Sequence, residues 1–336
     1  MYYGRETKGH FPVKKRRLGN SAFFISAIGL GCWQFSKNRG LAGSFWGDLA
    51  DDTITSIIEA SLRGGVDWFD TAELYGHGMS ERMLSSALQR LNVEKEKIVV
   101  ATKWNPVLRS ARSIVRTFPV REKYLAPYPI TLLQVHNPFS VSPIEDQMRA
   151  MAFLVESGKV GLIGVSNFSL TLMRKAHETL LADGFVLTSN QMRYNLLDRS
   201  VEFNGVLDYA REHDITLIAY SPLAQGLLTG RFHEEGGLIQ KRPGFRRYLP
   251  AFQQRSLLRT LPLIQVLRDI AERHQKTPAQ IALRWIIQFH GEAIVAIPGA
   301  SSVLQAQQNA AVMDFELTEE ELAQIDETSL AVARRS

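Results

Sequence analysis

Eight short apolar runs, rich in β-branched residues and separated by segments of helical period, constrain this chain more than any other feature. They occupy residues 25–30, 66–69, 98–101, 131–135, 160–165, 185–187, 215–219 and 293–297. Strands that alternate with helix-length segments pair in parallel, because each crossover carries the chain back over the sheet. The segment after Val141 shows what the crossovers contain. Ser142 suits an N-cap, Pro143 the first helical position, and Glu145 and Asp146 the positive end of the dipole. An apolar face follows at Ile144, Met148, Met151 and residues 153–155, and Gly158 supplies a stop. Thr277-Pro278-Ala279-Gln280 opens a second helix and Asp52 or Thr53 a third, the latter ending before Gly64-Gly65.

Polar residues stand just beyond successive strand ends, at Asp70, Lys103, His136, Ser166, Gln191 and Tyr220. Their separations are 33, 33, 30, 25 and 29 residues, about one βα unit each. Diverse chemistry at the C-terminal ends of consecutive strands is the arrangement of a single-domain (β/α)8 TIM barrel, whose βα loops surround one opening. A doubly wound sheet fits less well: Gly29 and Gly31 stand at the end of the first run, but Gln34 occupies the third glycine position of a dinucleotide fingerprint. The 77 residues from Tyr220 to Ile297 exceed one unit. Within them, residues 230–256 carry Gly, Pro and Arg231, Lys241, Arg242, Arg246 and Arg247, which predicts a long basic loop.

Composition narrows the function. A net charge of +5 is spread along the chain, with one dense basic run at residues 14–17, so no nucleic-acid partner is expected. No stretch of about 20 predominantly apolar residues suggests a membrane span, and the apolar stretch after the basic run lacks the form of a secretory signal. A lone Cys32 points to a reducing, cytoplasmic setting. No cluster of His, Cys and carboxylates has metal-ligand spacing.

If the barrel closes, Asp70, Tyr75, Lys103 and His136 converge at its rim. A nearby ammonium favours a phenolate, so Lys103 is expected to bring Tyr75 toward useful acidity, with Asp70 holding Lys103 charged and His136 orienting a carbonyl. Taken singly, such residues have plainer readings: His136 a satisfied core histidine, Asp70 a helix cap, Lys103 a solvated strand end and Tyr220 a packed ring. Their order and spacing together argue for a site.

Residues 65–76, Gly-Val-Asp-Trp-Phe-Asp-Thr-Ala-Glu-Leu-Tyr-Gly, resemble the G-x-D-x-x-D-T-A-x-x-Y-G signature of the aldo-keto reductase superfamily. The resemblance continues through Ala101-Thr102-Lys103, Leu132-Leu133-Gln134-Val135-His136, Gly164-Val165-Ser166-Asn167-Phe168, Asn190-Gln191, Ala219-Tyr220-Ser221-Pro222-Leu223 and residues 297–301. It implies one barrel domain over residues 1–336, with an N-terminal hairpin at 14–30 and a cofactor loop at 221–256. It also implies NADP(H)-dependent reduction of aldehyde or ketone carbonyls by direct hydride transfer, NAD(H) being less favoured. Asp70, Tyr75, Lys103 and His136 match the catalytic positions, with Tyr75 as general acid.

By the same resemblance Trp33 and Asp70 join the cofactor site, Ser166, Asn167 and Gln191 bind the carboxamide, and Tyr220 stacks on the nicotinamide. Ser221, Pro222, Leu223, Gln225 and Gly226 match the pyrophosphate loop, and Gly299, Ser301, Gln305, Gln308 and Asn309 the adenosine end. Gln305 and Gln308 replace the Arg and Glu of many members. As in the potassium-channel beta-subunit branch, basic residues after strand seven would then read the 2′-phosphate: Arg231, or Arg242 or Arg247. Trp33, Trp46 and Trp104, with Phe35 and Phe139, are expected to line an apolar substrate mouth. Residues 106–130 lack the family pattern and receive no assignment. Two rival functions remain: a nicotinamide-sensing subunit with little turnover, and a Schiff-base aldolase using Lys103. Oligomeric state is not readable.

Overall fold

A computed structural model of the protein describes residues 14–40, 47–234 and 249–333. A hairpin comes first, its strands β1 (Lys15–Arg17) and β2 (Phe24–Ser26) antiparallel. Eight parallel strands follow: β3 (Leu30–Gly31), β4 (Trp68–Asp70), β5 (Val99–Trp104), β6 (Ile130–Val135), β7 (Val160–Ser166), β8 (Leu187–Arg193), β9 (Thr216–Tyr220) and β10 (Ile294–Ala296). They neighbour one another in chain order, and the ends meet. Ile28 bridges Ala296 and Gly31 bridges Gly299, with Gly29 N–H donating to Ala296 O at 2.8 Å. The sheet is the closed wall of a (β/α)8 barrel.

Side chains alternate across that wall. Trp68, Val99, Ala101, Leu132, Ile218, Val295 and Ile297 point inward and form one apolar cluster with Leu18 and Ile25 of the hairpin. The hairpin therefore plugs the end of the barrel where the strands begin. Gly19 N–H donates to Thr216 Oγ1 at 2.7 Å, and the Trp68 indole N–H to Ser26 O at 2.9 Å. The outward residues, among them Phe69, Val100, Leu133, Val135 and Val165, pack against the helices in a second, larger core.

The helices relevant to the site are α1 (Asp51–Arg63), α2 (Met79–Arg90), α3 (Arg112–Leu125) and α4 (Ile144–Glu156). Thr277-Pro278-Ala279-Gln280 opens a helix as expected: Thr277 and Gln280 form a capping box, with Pro278 at the first position of the helix Pro278–Gln288. Ser142, by contrast, does not cap α4: its Oγ accepts the Ala111 N–H at 3.0 Å and ties two βα loops together. The unassigned stretch contains α3, despite Pro119 in its interior. Buried Ile114, Phe118 and Leu125 secure it against the bond that proline removes. The first apolar run divides between β2 and β3. The run at 185–187 belongs to a strand lying mostly beyond it, over Leu187–Arg193, because Thr188, Ser189, Asn190 and Gln191 are buried polar residues. The expected loop at 221–256 holds short helical turns and gives way to the helix Gln254–His274.

Gly29 is closely packed at the barrel seam, since a Cβ there would overlap the ring of the fully buried Trp68. Gly29→Ala is expected to destabilise the protein by about 2 kcal/mol through overpacking, seen as a lower urea midpoint at unchanged slope.

Candidate active site

The inward face of the wall changes character toward the strand C-termini. Above the apolar plug, Asp70 ends β4, Lys103 stands next to last in β5, and Gln134 and Gln191 lie on β6 and β8. Asp70 and Lys103 are both buried and form an ion pair through Oδ1. Asp70 Oδ2 accepts amide N–H groups from Gln134 at 3.0 Å and Gln191 at 2.9 Å. The Lys103 ammonium also donates to Thr71 O at 3.0 Å and to the Tyr75 hydroxyl at 3.4 Å. All three ammonium donors thus have partners.

Tyr75 comes from the loop after β4. Its ring packs edge-on against His136, with centroids 5.6 Å apart, and stacks with Trp33 at 6.1 Å. The four predicted catalytic residues do converge. The acidification expected for Tyr75 does not follow: burial pushes the phenol above 10, and Lys103 pulls back only part of that rise while Asp70 adds to it. An ammonium already paired with a carboxylate projects little net field. At neutral pH the phenol keeps its proton. Burial lowers the Lys103 pKa, but Asp70 and Tyr75 outweigh it and hold the amine charged. His136 is pulled down to about 3, by burial first and then by Lys103. It is a neutral imidazole at pH 7, and its buried Nδ1 has no hydrogen-bond partner among the described residues.

Beside this group, Asn167 adopts a left-handed backbone (φ 60°) and donates through Nδ2 to His136 O at 3.3 Å and Ser166 Oγ at 3.1 Å. Its Oδ1 accepts the Tyr220 hydroxyl at 2.9 Å, and Ser166 Oγ donates to Gln191 O at 2.9 Å. The structure therefore gathers Ser166, Asn167 and Tyr220 in one chain, while the Gln191 amide turns to Asp70. After β9, Ser221, Ala224, Gln225 and Gly226 all have φ between 47° and 99°. Three of these are not glycine, so the loop stores strain of about 1 kcal/mol or more per residue. Asn195 Nδ2 holds Ser221 O at 3.1 Å, and Pro222 and Leu223 lie between the left-handed positions. Backbone that passes from right- to left-handed conformation in this way forms concavities suited to anions.

After the neighbouring strand β10, Gly299 leaves room for the buried Gln34 side chain, whose Oε1 has no hydrogen-bond partner among the described residues. Gln305 Oε1 accepts the Ser301 N–H at 2.8 Å, and buried Asn309 donates to Gly299 O at 3.3 Å. Gln308 is half-buried on the same short helix, Val303–Ala310. Arg231 is exposed at the start of the turn Arg231–Glu234. Arg242, Arg247 and Trp46 lie outside the described residues.

Trp104 is a correction. It follows inward-facing Lys103, so alternation turns it outward, where it is buried with its indole N–H on Ser113 Oγ at 3.1 Å and Arg109 over its ring. It packs the wall instead of lining a mouth. Trp33 is half-buried and reaches Tyr75, and Phe139 is exposed. Gln134 was passed over as a site residue. Its spacing of two from His136, in a mostly apolar strand, is the signal that places both on the inner face.

Outside the wall, Glu81 is fully buried, and its pKa is raised to about 7 by burial, against the pull of Arg121 and Thr102. A raised carboxylate contributes stability below the unfolded value near 4.5 and loses it as pH climbs through about 7. Glu81→Gln should therefore gain on the parent as pH rises across that window, read from denaturant midpoints at both ends. Lys103→Met, which strands Asp70 in the barrel, should cost about 3–5 kcal/mol. Adding Asp70→Asn should recover part of that loss in thermal melts, the mark of coupled sites.

Comparison with known proteins agrees with this architecture. Residues 27–329 match the model of the Aldo/keto reductase family. An uncharacterised oxidoreductase of Mycobacterium tuberculosis is 39% identical over 295 residues, covering 88% of this chain and 86% of that one. The glycerol dehydrogenase of Gluconobacter oxydans has a similar structure, with TM-score 0.81 and 27% identity over 95% of both chains. So does an aldo/keto reductase of Klebsiella pneumoniae solved with NADP and acetate, with TM-score 0.71 and 27% identity over 94% of this chain and 95% of that one. With a family match spanning most of a closed (β/α)8 barrel, the chain belongs to the aldo/keto reductases, a family of oxidoreductases.

Proposed function

We propose that the protein reduces aldehyde and ketone carbonyls to alcohols with NADP(H), Tyr75 acting as general acid. The observation that carries this reading is a half-buried tyrosine hydroxyl within reach of a buried ammonium, itself fixed by a carboxylate. General acid catalysis needs a donor that retains its proton at working pH, and Tyr75 does. Lys103 can donate to the phenolic oxygen as its proton leaves, and charge on that oxygen then develops beside a fixed cation. Neutral His136, edge-on to Tyr75, would orient the carbonyl oxygen by hydrogen bonding.

The residues present fit a dinucleotide. Ser166, Asn167 and Tyr220 would meet the nicotinamide end, the left-handed loop from Ser221 to Gly226 the pyrophosphate, and the segment from Gly299 to Asn309 the adenosine. Gln34, whose buried Oε1 beside Gly299 has no partner among the described residues, offers a further acceptor. When bound, the reduced nicotinamide would supply the hydride. The Klebsiella relative in complex with NADP supports NADP(H), as does a basic loop with Arg231 at its described edge. Gln305 is neutral, and its oxygen caps Ser301.

A Schiff-base aldolase would need a neutral, nucleophilic Lys103, whereas this lysine is held charged by Asp70. Cys32 is buried, and burial pushes its thiol well above the ordinary range, which suits an inert core residue in a cytoplasmic enzyme.

The test is NADPH and NADH oxidation against aromatic and aliphatic aldehydes. Tyr75→Phe should lose roughly 10²–10⁴-fold in kcat while keeping NADPH affinity. Equal turnover in the mutant removes Tyr75 from the mechanism, and tight NADPH binding without turnover of any carbonyl by the parent favours the sensing role.

A further inference from the structure

Directly behind the Asp70–Lys103 pair, on the outer face of the wall, lies a second ionic cluster. Glu73 Oε1 accepts the Asn105 N–H at 2.6 Å and pairs with Arg109. Glu73 Oε2 lies 2.7 Å from Arg121 Nη1, and Arg121 Nε lies 2.7 Å from Glu81 Oε2. Glu81 Oε1 then accepts the Thr102 hydroxyl at 2.7 Å. Glu73, Glu81 and Arg121 are all at least nine-tenths buried.

The connectivity is informative. Glu73 precedes Tyr75 by two residues, and its own N–H donates to Lys103 O at 3.2 Å. Asn105 follows Lys103 by two. One carboxylate therefore joins the loop that carries Tyr75 to the strand end that carries Lys103. That loop has little regular structure of its own, since Gly76, His77 and Gly78 are all left-handed, with φ of 62°, 56° and 83°. Buried ion pairs are a costly way to gain stability, since a well-packed apolar set often does as well. What charged groups add is fixed geometry: Arg109 also donates to Asn105 O at 3.0 Å, Ser113 Oγ at 3.2 Å and Thr117 Oγ1 at 2.7 Å, so its fork cannot drift.

We propose that Glu73, gripped by Arg109 and Arg121, is a positioning residue that sets the distance between the Tyr75 hydroxyl and the Lys103 ammonium. It touches neither substrate nor cofactor. The inference rests on Tyr75 being the proton donor, and its effect on turnover passes wholly through that residue. Loosening the clasp lets the phenol leave the ammonium, so proton delivery slows while the dinucleotide sites after β7, β9 and β10 stay as they are.

The experiment compares Glu73→Gln, which keeps the shape and removes the charge, with Arg109→Met and Arg109→Lys. NADPH affinity, from fluorescence, should stay within about twofold, while kcat for an aldehyde falls roughly 10- to 100-fold in Glu73→Gln and Arg109→Met. Arg109→Lys should recover part of that loss. A readout free of turnover accompanies it: the ring-carbon resonance of 13Cζ-labelled Tyr75, identified by its absence in Tyr75→Phe. It should move in the first two variants and return toward the parent position in Arg109→Lys. Folded variants with a lower melting temperature but parental kcat and an unmoved resonance overturn the proposal. If Glu73→Gln fails to fold, Arg109→Met decides alone. If the parent reduces no carbonyl, the reductase reading falls while the resonance still decides whether the clasp holds Tyr75 in place.

Discussion

Everything at the open end of this barrel is arranged around two opposite charges that water does not reach. Taking a carboxylate and an ammonium out of solvent costs several kcal/mol per ion, and the cost is recovered only when each remaining donor and acceptor is matched. Asp70 meets that demand with Lys103, Gln134 and Gln191, and Lys103 with Asp70, Thr71 O and Tyr75. The residues contributing to the pair come from four strands, β4, β5, β6 and β8, and one loop. The pair thus links the first half of the barrel to the second, and the hairpin plug below it keeps the other end dry.

Alternation along β5 divides the labour. Ala101 and Lys103 face inward, toward the plug and the site, while Thr102 and Trp104 face outward, toward helices α2 and α3. Chemistry and support are therefore one residue apart in sequence and on opposite sides of a wall. The loop after β4 crosses that boundary, with Tyr75 directed at Lys103 and Glu73 at Arg109 and Arg121.

The reading from sequence succeeded where a residue's location follows from its place at a strand end. Asp70, Lys103 and His136 were legible because unit spacing in a βα repeat puts successive strand ends at one opening, whatever the packing between them. It failed where tertiary contacts override a local signal. Ser142 has the position of an N-cap but spends its hydroxyl on Ala111, and Pro119 argues against a helix that Phe118 and its neighbours nevertheless bury. Strand β8 was shifted because an inner wall that holds polar groups reads as hydrophilic. Trp104 reads from sequence as a loop residue beyond its strand, whereas it is the last residue of β5, and a period of two turns it away from the face that carries Lys103.

By itself, then, the sequence determined the number and order of the units, the closure into a barrel and which polar residues meet at its rim, since these depend on periodicity and chain order. Only the tertiary structure decided the protonation state of Tyr75 and the partners of Asp70. Burial raises the phenol more than a neutralised ammonium can lower it, and that balance depends on distances no spacing encodes. The same holds for Glu73: its separation from Tyr75 is written in the chain, but the two guanidinium groups that give it purpose come from 36 and 48 residues away.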